Sequence, residues 1–145
     1  MKGEMASMWW LAAGAVVLAS IAGLSAQPKG QPVFTKEQAD AGRTLYADSC
    51  ARCHADDLGG NAEAPALAGS PFMGSWGSQT TQDLFKYVQG MPPDGTRLQS
   101  DQYLNVVAYI LLQNGALAGA QALSTSTAVR VDTIATGEKP AAGGR

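Results

Sequence analysis

The chain has 145 residues, ten Lys and Arg against twelve Asp and Glu for a formal net charge of -2, and only two Cys and one His. That length allows one small domain, and a near-neutral balance without a basic patch excludes a nucleic-acid binder working through a charged face.

The first 26 residues differ in composition from the rest. Met8 to Leu24 is uncharged and mostly apolar, and follows Lys2 and Glu4. A secretory signal peptide has an apolar stretch of roughly 7 to 15 residues and small residues at its cleavage site, which Ala22 or Ala26 supplies. Leu24 is large for the position two before Ala26, the run from Met8 to Ala26 approaches bilayer-spanning length, and Trp9 and Trp10 at its start suit an interfacial anchor. Residues 1-26 are therefore read as a signal peptide or an N-terminal membrane anchor, with cleavage favoured; the protein is membrane-associated if residues 8-26 are retained. Both readings export the domain. Residues 27-34, Gln-Pro-Lys-Gly-Gln-Pro-Val-Phe, form a short polar linker.

Thr35 and Gln38 make a capping-box pair, and Lys36 to Ser49 is predicted as the first helix. Gly42 lies four before Tyr46 on the same face, where a missing side chain lets another helix come close. A mid-helix Gly costs up to about 1 kcal/mol against Ala, and close packing is the expected compensation.

Both thiols and the imidazole then fall in one pentapeptide, Cys50-Ala51-Arg52-Cys53-His54, a C-x-x-C-H signature for covalent c-type haem. Two thiols add across the two vinyl groups of one porphyrin edge, and the adjacent residue reaches the iron. A helical turn places Cys50, Cys53 and His54 on one face for this. A structural zinc site would take the same three side chains and lack a fourth soft ligand. A redox dithiol expects a strand-helix-strand setting, whereas the flanks here read as helix and Gly/Pro-rich loop.

From Ala55 to Thr80 the chain holds five glycines and two prolines with no sustained period. An irregular loop of that length argues against a compact domain unless it surrounds something, and a haem is that something. Thr81 to Gln89 is predicted as the second helix, with Asp83 in its first turn and Leu84, Phe85 and Val88 on one face. Outside the export segment the only methionines are Met73 and Met91. Met91 sits in Gln89-Gly90-Met91-Pro92-Pro93-Asp94, where the following proline pushes it to stiff, non-helical backbone facing inward. The soft thioether is the ligand that raises the potential in cytochromes c, and Met91 is the favoured candidate for the iron position opposite His54, with Met73 the less favoured one and ordinary core filling the plain alternative for Met91.

The third helix is predicted to follow Ser100 as N-cap and to run from Asp101 to Gln113, ending at Asn114-Gly115. The domain proper spans 35-115, residues 116-136 are an appendage, and 137-145 a disordered tail.

In this order the motifs resemble the class I, single-haem c-type cytochromes over about residues 36 to 115. The resemblance rests on Gly42 to Tyr46, the C-x-x-C-H pentapeptide, Ala64-Pro65-Ala66-Leu67-Ala68-Gly69, Met91-Pro92, and Val107-Ala108-Tyr109-Ile110-Leu111. It implies an all-α cytochrome c fold, three main helices and long loops wrapped around one haem attached through Cys50 and Cys53, with His54 and Met91 on the iron. It also implies that Gly42 and Tyr46 cross the last helix near Val106 and Tyr109, that the Pro65 carbonyl accepts the His54 Nδ1 proton, and that Leu67 lines the cofactor. Export agrees, because bacterial c-type haem is attached on the far side of the cytoplasmic membrane, which implies a periplasmic protein.

Phe72-Met73, Trp76, Asp83-Leu84-Phe85, Met91-Pro92 and Asn114-Gly115 are similar to cytochrome domains of quinone-dependent (PQQ) alcohol dehydrogenases. Such relatives imply redox protein partners: a quinoprotein dehydrogenase, and a terminal oxidase or other membrane complex. Gly95-Thr96-Arg97-Leu98 departs from their usual Pro-Gly before a Leu, so the loop after the Met differs. Trp76 and Arg97 are candidates to contact haem propionates, with a core role for Trp76 and a solvated surface charge for Arg97 as the plain alternatives.

The expected function is single-electron transfer, not enzymatic turnover. The competing readings are a haem sensor or small-ligand protein with an open sixth position, for which no distal His exists, and a fixed docking subunit of a larger redox complex. The porphyrin supplies apolar area that a chain this short lacks, so haem-free protein is expected to lose native helicity and its cooperative melt, measured by far-ultraviolet circular dichroism.

Overall fold

The computed structural model describes residues 30-139, and these are helical apart from turns and one isolated antiparallel bridge between Thr80 and Arg130. Six helical segments follow in order: α1 Lys36–Ser49, α2 Ala51–His54, α3 Gly69–Trp76, α4 Thr81–Val88, α5 Ser100–Gln113 and α6 Val131–Ile134. Among the described residues no helix is long and apolar enough to cross a membrane. The export or anchor segment 1-26 and the last residues of the expected tail, 140-145, lie outside the described residues.

The frame is the crossing of α1 and α5. Gly42 is buried in it, and a Cβ built there would lie 1.9 Å from the Asn105 carbonyl oxygen and 3.0 Å from the Tyr109 Cβ. The two backbones touch because one of them carries no side chain, which offsets the helix cost of the glycine. One turn along, the rings of Tyr46 and Tyr109 meet at 5.3 Å, tilted by 52°. α5 is buried almost all round, from Tyr103 through Leu111, and is the central helix of the core.

α1 starts as its sequence predicts. Gln38 N–H donates to Thr35 Oγ1 at 3.2 Å and Thr35 N–H to Gln38 Oε1 at 3.3 Å. α4 carries the same device, Thr80 with Asp83, where the Thr80 hydroxyl foremost holds the Asp83 carboxyl below its ordinary value. α5 differs by one residue from expectation. Ser100 is already helical, and Gln99 is the N-cap, its N–H donating to Gln102 Oε1 at 2.8 Å.

The segment 55-80 is not irregular throughout, because it holds α3. Gly69, Pro71 and Gly74 read as breakers, yet Pro71 stands in the first turn, where a helix needs no intrahelical N–H. Phe72 anchors α3, fully buried. Val33 and Phe34, placed by the sequence reading at the end of a linker, are buried as well.

Residues 116-136 run as a strap over the domain, contributing Ala116, Leu123, Val131, Ile134 and Ala135 to the same core. The side chain of Gln38 brackets Leu123, donating to its carbonyl at 3.0 Å and accepting from its N–H at 2.7 Å. Farther on, Thr81 N–H donates to the Val129 carbonyl, Val131 N–H to Gln79 and Asp132 N–H to Gly77. The strap thereby ties the start of α1 to the start of α4.

Gly42→Ala is expected to destabilise the haem-loaded protein by about 1–3 kcal/mol, since backbone and not a flexible side chain stands in the way. Urea melting with an unchanged slope checks it.

Candidate functional site

α1 runs into the attachment turn almost without a break, Cys50 N–H donating to the Tyr46 carbonyl at 2.8 Å. α2 then presents Cys50, Cys53 and His54 to a cleft of about 390 Å³. The floor is Val106 and Ile110 of α5, one wall Leu84 and Val88 of α4, and the other Ala64 to Leu67, with Trp76, Met91 and Pro92 completing the ring. This is a mostly apolar hollow of ligand-binding size with a few convergent polar groups.

His54 Nδ1 lies 2.8 Å from the Pro65 carbonyl oxygen. A carbonyl only accepts, so Nδ1 carries the proton and donates it, and Nε2 keeps the lone pair with which an imidazole ligates a metal. The chain after His54 is bent hard to bring Pro65 there. Ala55 and Leu58 both sit at φ 63°, which costs of order 1–3 kcal/mol each for a residue with a Cβ. The bend is held from both sides: Tyr46 donates its hydroxyl to the Ala55 carbonyl at 2.7 Å, and Gly60 N–H donates to His54 at 3.0 Å. Gly60, at φ 71°, packs against the 64–66 backbone, where a Cβ would come within 2.7 Å of the Ala64 carbonyl. Burial first, and then the neighbouring Cys50, hold the Tyr46 phenol above its ordinary value, which keeps it a proton donor.

The wall beyond Pro65 hangs on Asn114, a residue read from sequence only as a helix end. Its buried side chain accepts from Gly69 N–H at 3.0 Å and donates to the Leu67 and Ile110 carbonyls at 2.9 Å. Its own carbonyl accepts from Thr136 and Gly137 N–H. The Asn-Gly pair is the only signal of this in the sequence, and it points to a cap, not to a hub.

Of the eight predicted site residues, Cys50, Cys53, His54, Pro65, Leu67, Trp76 and Met91 line this one cleft. Arg97 does not. It is exposed, and its Nη1 donates to the Pro92 and Thr96 carbonyls at 2.9 Å, bracing the loop after Met91. Met73 also stays out of the cleft; it packs against the core from α3, with its Cγ beside Gly137. Trp76 meets Tyr87 edge-on at 5.2 Å, and Tyr87 is 57% exposed at the cleft margin.

Burial foremost, with Cys53 adding, pushes the Cys50 thiol of the unmodified chain up to about 11. The attacking thiol of a redox dithiol is held low, and Cys50 is shifted the other way. Among the described residues no group of three or more His, Cys, Asp and Glu is arranged to hold a metal ion by itself. Two unpaired thiols beside an apolar hollow, with an imidazole oriented through Nδ1, fit a covalently attached porphyrin.

Fold and site together define a c-type cytochrome: an all-α cytochrome c fold carrying one haem attached through Cys50 and Cys53. A family model described as cytochrome C oxidase, cbb3-type, subunit III matches residues 37–110, from the first turn of α1 into α5, and the chain belongs to this family. No curated protein matches the chain. Among solved structures it is similar to a thiosulfate dehydrogenase from Marichromatium purpuratum in its as-isolated form, with 28% identity and a TM-score of 0.43. The match covers 57% of this chain and 19% of that one.

Asn114→Ala leaves the Gly69 N–H and the Leu67 carbonyl without their partner, for an expected cost of about 2–4 kcal/mol. Amide exchange at Gly69 should accelerate by more than the global loss of stability allows, which hydrogen exchange followed by NMR reads directly.

Proposed function

We propose that the protein is an exported single-electron carrier whose haem iron is held by His54 and Met91. The observation that carries this reading is the cleft itself: the two candidate ligands line it with the attachment cysteines, while Met73 does not. When bound, the haem supplies a one-electron ferric/ferrous couple. The chain's residues do the remainder. Cys50 and Cys53 attach the group, the Pro65 carbonyl fixes the His54 tautomer, and Leu67, Leu84, Val88, Val106 and Ile110 keep water from the iron. A thioether ligand and apolar burial both favour the ferrous state, which sets a raised potential. Were His54 and Met91 both to hold the iron, no coordination position would be left for a substrate, and the role would be that of a carrier and not a catalyst.

Electrons pass at the cleft margin, with Tyr87 and Trp76 at its edge, through the small, transient contact usual for redox encounters. A quinone-dependent dehydrogenase as donor and a membrane complex as acceptor suit the sequence resemblance. The matching family model carries the name of an oxidase subunit, which favours a second arrangement with the same chemistry: fixed membership of a membrane redox complex. Purification at native abundance separates the two by whether other polypeptides co-elute. Intact mass of the exported protein reports haem addition and the fate of residues 1-26 together.

The ferric protein is expected to show the weak far-red sulfur-to-iron charge-transfer band. Met91→Ala should abolish it and lower the midpoint potential by on the order of 100 mV. A native protein that is high-spin and lacks the band refutes the ligation proposed.

A further inference from the structure

The loop that follows Met91 is closed by a single side chain. Tyr103, in the first turns of α5, donates its hydroxyl to the Met91 carbonyl at 2.6 Å and accepts from the Leu98 N–H at 3.3 Å. One oxygen thus joins both ends of the stretch 91–98. The ring is buried, 4% exposed, and belongs to the helix that α1 and α4 pack against. It does not line the cleft, so it has no direct route to the haem. Met91 N–H also donates to the Val88 carbonyl at 2.9 Å, which ties the start of the loop to α4. The loop's remaining side-chain fixtures are exposed, namely the Arg97 bonds to Pro92 and Thr96, the Thr96 N–H bond to Asp94, and an Arg52–Asp94 ion pair at 3.3 Å whose side chains are 80% and 47% accessible. Pairs of that kind contribute little. A buried phenol between two backbone groups is a different fixture, because losing it strands polar groups where water is scarce.

We infer that Tyr103 is a positioning residue for the sixth ligand: by pinning the Met91 carbonyl to α5 it holds the thioether against exchange. The inference rests on Met91 ligating the iron. The Met–iron bond is weak, so whether the iron stays closed depends on how often the Met91 backbone swings away. Tyr103 sets that frequency from the far side of the backbone. The hydroxyl alone is responsible, and Tyr103→Phe removes it while keeping the ring that packs in the core.

The test is imidazole titration of the ferric, haem-loaded protein, followed by loss of the far-red band, with Leu123→Ala as a comparison that weakens the fold at a buried strap position outside the cleft and the loop. Tyr103→Phe is expected to keep the band without imidazole and to raise the apparent imidazole affinity about tenfold, the change that one lost buried hydrogen bond produces. Leu123→Ala should leave that affinity within about twofold of the native value, because opening here is local and not global. An unchanged affinity in Tyr103→Phe, with the native band present, overturns the role of Tyr103 and leaves Met91 as ligand. An equal rise in both variants overturns it too, since the effect would then follow overall stability. A native protein without the band overturns the Met91 reading itself.

Discussion

At the crossing of α1 and α5 two helix backbones meet with nothing between them, and both sides of the cleft are referred to that contact. α1 continues from Gly42 through Tyr46 into the attachment turn, so the position of Cys50 and His54 is inherited from the crossing. α5 carries Val106 and Ile110 to the floor, Tyr103 to the Met91 backbone and Asn114 to the wall of residues 67–69. A shift of one helix against the other would therefore move the two candidate iron ligands relative to each other. Close-packed backbone has little freedom to make such a shift, and a rigid site loses little to rearrangement when it changes charge.

The loop between His54 and α3 has a different task. It must bring one carbonyl, that of Pro65, to one ring nitrogen, and it does so at the expense of two residues in left-handed backbone. Ala55 and Leu58 hold these conformations because Tyr46, Gly60 and the Leu58–Leu67 backbone bond fix the chain on either side of them. Strain of this kind persists only where the surroundings over-determine it, and here they come from α1, the loop and the wall together.

What could be read from sequence follows from how local the determinants are. The capping box at Thr35, the C-x-x-C-H turn, the apolar face of α4 and the long apolar run of α5 are written in adjacent residues, and the structure carries each of them. The close approach at Gly42 was legible because a mid-helix glycine is costly and demands a reason. Less legible were features that depend on partners distant in the chain. α3 hides behind Gly69, Pro71 and Gly74 because its only strong signals are Phe72 and Trp76, and Phe72 is buried by tertiary neighbours. Arg97 carries the right charge for a propionate, yet its bonds go to its own loop, a choice made by backbone geometry that residue type does not show. Asn114 and Gln38 looked like end signals, and each also serves a segment 45 or 85 residues away. Tyr103 stands at a core-facing position of α5, and its hydroxyl has no sequence signature at all.

The strap has a consequence for how such a protein can change. None of residues 116–139 lines the cleft, although their backbone bonds fasten the starts of α1 and α4. Part of the domain's cohesion is thus written in a stretch of the chain that supplies no lining to the cleft. Substitutions in the strap can trade stability up or down while the redox couple stays where it is, and substitutions around the cleft can retune the couple on an unaltered scaffold. To that extent stability can be adjusted apart from the haem site, which gives a small cytochrome domain room to change one without first rebuilding the other.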